Sequence, residues 1–423
     1  MIAITPLTDS ELVIDLGTGE VLEEVPPDNE APEGVDKDLW KQWMDNTERK
    51  KDPFLVQLER GMDGQNIGLS NGLFHINQFI YGTHKARFYL LGGESGAGKT
   101  TIGDFMYVLN AWQSAKAQGR PIKIFYLSFE IGKTEKLYRW CSYYIFLKWN
   151  LQLPSDYLQG RINGKLVTDQ HSMMILEAYG TVKEMLKDIN IVQDTLHPTK
   201  VFEDLIESHF TKHGTVDRAK LSVEDAKKGK KGYVKGYTEN DPAFITILIA
   251  DTLNLVGTEM GLDTKGAMDK LSKYAIVLRN LFHCTVVFYQ QFSTDMMATY
   301  RGMMGKKNEA SITPQRLDFG DSKTTYRDAD VVIGFIKPQN DLQKFHKYDL
   351  GVEEGLGNWF TAAFLMKNRY GPASRMSPLF VDGISGFVYD LPLEPTNPLR
   401  MEEWYDKAKQ LESICRLYSP QSR

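Results

Sequence analysis

Cysteine is scarce: Cys141, Cys284 and Cys415 are the only three in 423 residues, and no two form a CxxC pair. That spacing excludes a disulfide framework or a zinc ribbon and suits a reducing compartment. Long apolar runs are missing as well. No stretch approaches the ~18 apolar residues of a membrane span, and the start, MIAITPLTDSELVIDLG, lacks a basic segment followed by an apolar one. The expectation is a soluble, cytoplasmic chain with no membrane partner. There is no internal repeat, and no strong charge of one sign, the formal net charge being −5. That total hides an asymmetry, because residues 1–50 hold 13 Asp/Glu against 4 Lys/Arg while all the others hold 42 against 46. A body at only +4 excludes a protein that coats nucleic acid by bulk attraction, so any grip must come from a few concentrated loops.

Hydrophobic residues at 42% and aromatics at 11% supply a sizeable core. Residues 1–35 read as an acidic flexible leader rich in Pro and Gly, with a short hairpin where LVIDLGTGEVLEEV turns at Gly-Thr-Gly. Residues 36–65 form a linker helix region. There Asp36 is placed as N-cap, and Leu39, Trp40, Trp43 and Met44 share one helical face running toward Lys51. Two tryptophans on so short a helix must bury against this chain's core or a neighbouring subunit.

From residue 66 to about 395 the pattern becomes strand–helix alternation, the mark of an α/β sheet. Strands are expected at Phe88–Leu91, Ile122–Phe129, Phe244–Ala250, Thr285–Tyr289, Val331–Ile336, Thr361–Met366 and Leu379–Val381. Most are continuously apolar, as parallel strands covered on both faces should be. Within this domain residues 217–235 carry seven Lys/Arg against three Asp/Glu and read as an exposed basic insertion. Residues 396–423 read as a tail containing a helix, Met401–Cys415.

The segment Gly93-Glu94-Ser95-Gly96-Ala97-Gly98-Lys99-Thr100, followed by Thr101, satisfies GxxxxGK[ST] after a strand and before a helix. Its glycines let successive N–H groups point at phosphate oxygens, and the helix N-terminus adds partial positive charge. Lys99 is placed on the β and γ phosphates and the Thr100 hydroxyl on Mg²⁺. A nucleotide site of this type needs a second carboxylate at the end of a buried strand. Ile245-Thr246-Ile247-Leu248-Ile249-Ala250-Asp251 supplies it. Glu130, at the end of IKIFYLSFE, is a third carboxylate, expected beside the phosphate loop where it would polarise an attacking water.

In order, LSNGLFHINQFIYG, the phosphate loop, FYLSFEI, ILIADTLNLV, VVFYQQFS, YRDADVVIGFIKP and LMKNRYGP resemble the RecA-type ATPase domain of DnaB-like hexameric replicative helicases over residues 66–392. The resemblance implies an α/β fold, a RecA-like P-loop NTPase core with a twisted, mostly parallel sheet flanked by helices. It implies ATP and Mg²⁺ as cofactors, Glu130 as catalytic glutamate, and Asp251 as the metal-orienting aspartate. Gln291 matches the sensor of the γ-phosphate, although the pair Gln290–Gln291 leaves that open by one position. Lys367 and Arg369 match fingers that reach into the adjacent subunit's site. Two loops, about Gly257–Gly266 and Asp295–Asp328, correspond to those that track single-stranded DNA, the second through Arg301, Lys306, Lys307, Arg316 and Lys323.

The chain departs from the family in three places. Taken alone, GESGAGKT resembles the myosin loop, but no matching switch motifs follow. The stretch from Lys133 to Asp241 is longer than the family core, and the resemblance leads to the expectation that the N-terminal helical or primase domain is missing, with only the acidic leader and the Trp40/Trp43 helix remaining. The function expected is an ATP-dependent, ring-forming DNA helicase or translocase moving 5′ to 3′, from a phage or mobile-element replisome and so in a host cytoplasm. It implies a hexameric homo-oligomer and a primase or loader protein as partner. The alternatives are a RecA/KaiC-type ATPase that binds DNA or a protein without unwinding, and an ATP-switched loader or scaffold.

Overall fold

A computed structural model of the chain describes residues 53–62, 64–220, 232–293, 313–320, 323–338 and 359–391, together with a few shorter pieces. The chain divides into two compact units, Met1–Asn66 and Ile67–Arg423. In the first, Leu12–Ile14 pairs antiparallel with Val21–Glu24, which is the hairpin expected around Gly-Thr-Gly. Asp36 Oδ1 accepts the backbone N–H of Asp38 at 2.9 Å, so Asp36 does cap a helix start. A further helix spans Pro53–Met62. Leu39, Trp43 and Met44 lie outside the described residues, as does the tail helix Met401–Cys415.

The second unit is built on a nine-stranded sheet. Its strands are β1 (Phe88–Gly93), β2 (Ile122–Ser128), β3 (Ile189–Val192), β4 (Ile245–Asp251), β5 (Thr285–Gln291), β6 (Val331–Ile336), β7 (Phe360–Asn368), β8 (Arg375–Val381) and β9 (Val388–Asp390). All seven expected strands are present; β3 and β9 are additional. The spatial order is β9-β8-β7-β6-β1-β5-β4-β2-β3. Pairings from β6 through β3 are parallel, and those joining β6, β7, β8 and β9 are antiparallel. The α/β, mostly parallel fold read from the sequence is therefore the one found.

Alternation along each strand assigns two cores. In β1, Tyr89 and Leu91 face one side and Phe88 and Leu90 the other, and all four are 0% exposed. That is why the parallel strands read as unbroken apolar runs. The first face carries α1, which runs on through Lys99–Asp104, a π-helical turn at Phe105–Leu109 and Asn110–Ala117. Beside it lie α2 (Lys133–Trp149) and α3 (Asp169–Asp188). The second face carries α4 (Thr264–Phe282) and the helix Pro198–Leu205.

Two expectations change in detail. The basic stretch 217–235 is not wholly loop, because Gly214–Arg218 pairs antiparallel with Val234–Glu239; its tip, 221–231, lies outside the described residues. The stretch about Gly257–Gly266 ends in helix, since Asp263 Oδ1 accepts the Gly266 N–H at 2.7 Å and caps α4. Among the described residues no helix is long and apolar enough to cross a membrane.

The first turns of α1 approach the sheet closely. A Cβ on Gly103 would lie 2.4 Å from Cζ of the buried Tyr289 ring in β5. Gly103→Ala is therefore expected to destabilise the domain by about 1–3 kcal/mol through overpacking, read as a lower urea midpoint at unchanged slope. An unchanged midpoint would mean that α1 is free to shift.

Candidate nucleotide-binding site

Strands β1, β5, β4 and β2 end along one edge of the sheet, with Gly93 opposite Gln291 and Ser128 opposite Asp251. In open α/β sheets ligands bind outside that carboxyl edge. The chain leaves β1, passes through Glu94–Gly98 and enters α1. Gly98 stands at the helix N-cap with φ +81°, a left-handed value that an L side chain adopts only under strain. Ser95 and Gly96 are exposed while Ala97 is 1% exposed. Lys99 is buried. Burial lowers its pKa, opposed by the charges of Asp251 and then Glu130.

Asp251 lies on the same face of its strand as Ile245, Ile247 and Ile249, toward α1, and is 0% exposed. The Thr100 hydroxyl donates to its Oδ1 at 3.1 Å. Magnesium is usually held by one or two side-chain oxygens together with substrate phosphates. Thr100 and Asp251 offer that pair, so the residues present fit the ion. Among the described residues no group of three or more His, Cys, Asp and Glu side chains could hold a metal on its own.

Behind Asp251 lies a cluster that the motifs did not signal. Lys136, in the first turn of α2, donates to Asp251 Oδ2 at 3.1 Å and to Asp104 Oδ2 at 3.0 Å, with both ends fully buried in the first pair. The Tyr126 hydroxyl is 2.6 Å from Asp104 Oδ1 and 2.9 Å from Asp251 Oδ2, and it also accepts from Lys136. Its single proton serves one carboxylate at a time. Trp140 Nε1 donates to Asp104 Oδ2 at 3.2 Å. Burial raises the Asp104 pKa, and the Lys136 charge opposes that shift. The cluster does have a trace in the sequence. Lys136, Trp140 and Tyr143 fall at helical spacing on one buried stripe, and Asp104 lies one turn beyond Thr100.

Glu130 is exposed, in the turn between β2 and α2. It is expected beside the phosphate loop, but its strand β2 is not the neighbour of β1, because β5 and β4 lie between them. Even so, its charge acts on Lys99 across the carboxyl edge. The Gln290–Gln291 pair is separated by alternation. Gln291 shares the α1 face with Val287 and Tyr289 and stands opposite Gly93. Gln290 faces the other core, where it donates to the Phe319 carbonyl at 3.0 Å and accepts from Thr325 Oγ1 at 2.6 Å.

Lys367 and Arg369 lie at the opposite end of the sheet. Lys367 pairs in register with Val332, at the start of β6, and donates to the carbonyls of Tyr326, Arg327 and Ala329 at 2.6–3.0 Å, closing the end of the helix Lys323–Asp328. Arg369 Nη1 donates to Asp330 Oδ1 at 2.9 Å, and Asp330 Oδ2 accepts the Phe88 N–H at the start of β1. β1 is six residues long, which puts about 17 Å of strand between these cations and their own phosphate loop. Of the DNA-binding candidates, Arg316 and Lys323 are exposed, on the segment that Gln290 contacts; Arg301, Lys306 and Lys307 lie outside the described residues.

No protein-family model and no curated protein matches this sequence. Solved structures do match. One solved ATPase domain aligns with a TM-score of 0.57 at 14% identity, over 82% of this chain and 100% of that one. A DnaB-like replicative helicase, described together with its interactions with primase, aligns with a TM-score of 0.57 at 15% identity over 81% of this chain and 68% of its own. A KaiC-like protein from Pyrococcus horikoshii gives a TM-score of 0.39 at 11% identity, over 77% of this chain and 99% of that one. The chain has the fold of the RecA-type ATPase domain of DnaB-like helicases.

Burial, and then the charge of Arg369, lower the Lys367 pKa from 10.5 to about 8. Below pH 8 folded and unfolded chains both hold this proton. Between about 8 and 10.5 only the unfolded chain does, so the contribution of Lys367 to stability rises with pH across that window. The stability difference between wild type and Lys367→Met, followed by urea unfolding, should thus move toward the wild type above pH 8 and stay flat below it. A flat difference throughout would return Lys367 to an ordinary surface lysine.

Proposed function

We propose that this chain is an ATP hydrolase that works as a ring of identical subunits, a DNA helicase or translocase acting on single-stranded DNA. The observation that carries the reading is the separation of two halves of one chemistry along β1. The phosphate loop stands at its carboxyl end and the paired cations Lys367 and Arg369 near its amino end. Cations so placed cannot reach a phosphate on their own loop, whereas a neighbour in a ring can present them.

Each residue then has a task. The Glu94–Gly98 backbone and Lys99 cradle the phosphates, and Thr100 with Asp251 holds Mg²⁺, which would neutralise charge on the transferring phosphoryl group. Glu130 orients and deprotonates the attacking water. Gln291 faces the phosphate end of β5, and Gln290 ties the same strand to the segment bearing Arg316 and Lys323. A change at the strand end would be felt there, at basic residues suited to backbone contacts without base reading. The similarity to a helicase known with primase favours a primase or loader protein as partner, and the reducing character of the chain favours a cytoplasmic setting.

On a forked DNA substrate the protein is expected to displace a strand in an ATP- and Mg²⁺-dependent way. Turnover stimulated by single-stranded DNA without displacement would favour a RecA/KaiC-type ATPase instead, and no DNA stimulation would favour an ATP-switched loader or scaffold. Arg369→Ala and Glu130→Gln should each lower turnover by about a thousandfold, the usual scale for losing a finger or a catalytic group. Mixing the two should restore activity at interfaces that combine an intact Glu130 with an intact Arg369. Mixed rings without recovery would sink action across the interface.

A further inference from the structure

Lys136 brings a charge into the site that no step of the proposed turnover uses. Its ammonium is 0% exposed and lies 3.0 Å from Asp104 Oδ2, 3.1 Å from Asp251 Oδ2 and 4.3 Å from the centre of the Tyr126 ring. Asp104 and Asp251 are buried carboxylates and Lys99 and Lys136 buried ammoniums, with Lys136 paired to both acids and Lys99 acted on by the charge of Asp251. Glu130 stays outside on the exposed turn. Formal charge in the buried part of the site therefore balances before any ligand arrives. A carboxylate recruits a divalent cation through excess negative charge, and here both Asp251 oxygens are engaged, Oδ1 by Thr100 and Oδ2 by Lys136 and Tyr126.

We propose that Lys136 is a positioning residue that neutralises Asp251 from behind, so that the divalent cation is taken up with the nucleotide phosphates and not by the empty site. The inference rests on the nucleotide site proposed above. An ammonium on Oδ2 lowers the attraction of the same carboxylate for a second cation, and the negative phosphates restore it. Asp104 tunes the effect, because it shares the ammonium and draws part of its charge away from Asp251. A lysine serving only to hold α2 against α1 makes a different forecast: its removal would loosen the fold and leave metal uptake unchanged or weaker.

The probe is Mn²⁺, with the free ion counted by electron paramagnetic resonance in the absence of nucleotide, and with folding checked by thermal unfolding. Lys136→Met should bind Mn²⁺ about tenfold or more tightly than wild type, because an uncompensated carboxylate then faces the metal across a low effective dielectric. Asp104→Asn should act in the opposite sense, raising the Mn²⁺ concentration needed to bind a fluorescent ATP analogue by a similar factor. The double variant Asp104→Asn/Lys136→Met restores charge balance and should lie near wild type. Should Lys136→Met fail to fold, the sign for Asp104→Asn decides alone. Variants that fold and keep wild-type Mn²⁺ binding would overturn the role of Lys136 while leaving the nucleotide site standing. A wild-type protein that binds no ATP analogue even with Mn²⁺ would overturn that site, and this inference with it.

Discussion

A carboxylate withdrawn from water at the end of β4 is the constraint around which the site is built. An isolated buried charge costs far more than a single hydrogen bond returns, so Asp251 is tolerable only with its oxygens satisfied. The partners come from three elements: Thr100 from α1, Tyr126 from β2 and Lys136 from α2. Each must hold its distance for the charge to stay buried. The requirement of one side chain thereby fixes the phosphate-loop helix, the strand leading to Glu130 and the helix following it in a common frame. Removing one member of such a cluster leaves the others uncompensated, at a cost of about 3–5 kcal/mol, which exceeds most single contacts in the sheet.

A second buried carboxylate organises the other end of β1. Asp330 is 1% exposed, accepts the Phe88 N–H, and receives the guanidinium groups of Arg279 and Arg369 on Oδ1. It ties the start of the phosphate-loop strand to α4 and to the turn after β7. Lys367, two residues before Arg369, binds three carbonyls at a helix C-terminus, where a cation is favoured by the helix dipole. These cations are therefore positioned rather than loose, at the edge of the sheet remote from the chain's own Glu94–Gly98 loop. The antiparallel strands β7, β8 and β9 have a part in this, since a strand antiparallel to β6 returns Lys367 and Arg369 to the amino end of β1.

The same strand logic divides the work of the glutamine pair. Adjacent residues in a strand point to opposite faces. Gln291 is thus committed to the face of α1, and Gln290, 1% exposed, to the face carrying Phe319 and Thr325. The alternation of β5 thus places the two glutamines on opposite faces of the sheet. Gln291 stands opposite Gly93, and Gln290 contacts the segment bearing Arg316 and Lys323.

What could be read from the sequence, and what could not, follows the same physics. Phe88–Gly93 and Ile245–Asp251 were legible because both faces are covered, so burial leaves continuous apolar runs ending in a glycine-rich loop and an aspartate. The edge strands Ile189–Val192 and Val388–Asp390 were not, since each pairs on one side only, is three or four residues long and carries a half-exposed pattern. The Gly93–Thr100 segment follows from motif spacing and Asp251 from its place at the end of an apolar run. Asp104, Tyr126 and Lys136 belong to no such spacing, being distributed over α1, β2 and α2 and joined only when the sheet closes. Periodicity reports which positions are buried but not the chemistry set there. A lysine on the stripe shared by Trp140 and Tyr143 breaks the pattern of its own helix, and the buried acids that compensate it lie 32 and 115 positions away along the chain. Motifs were legible where they are local in sequence, and the buried ion-pair cluster around Asp251 required the fold.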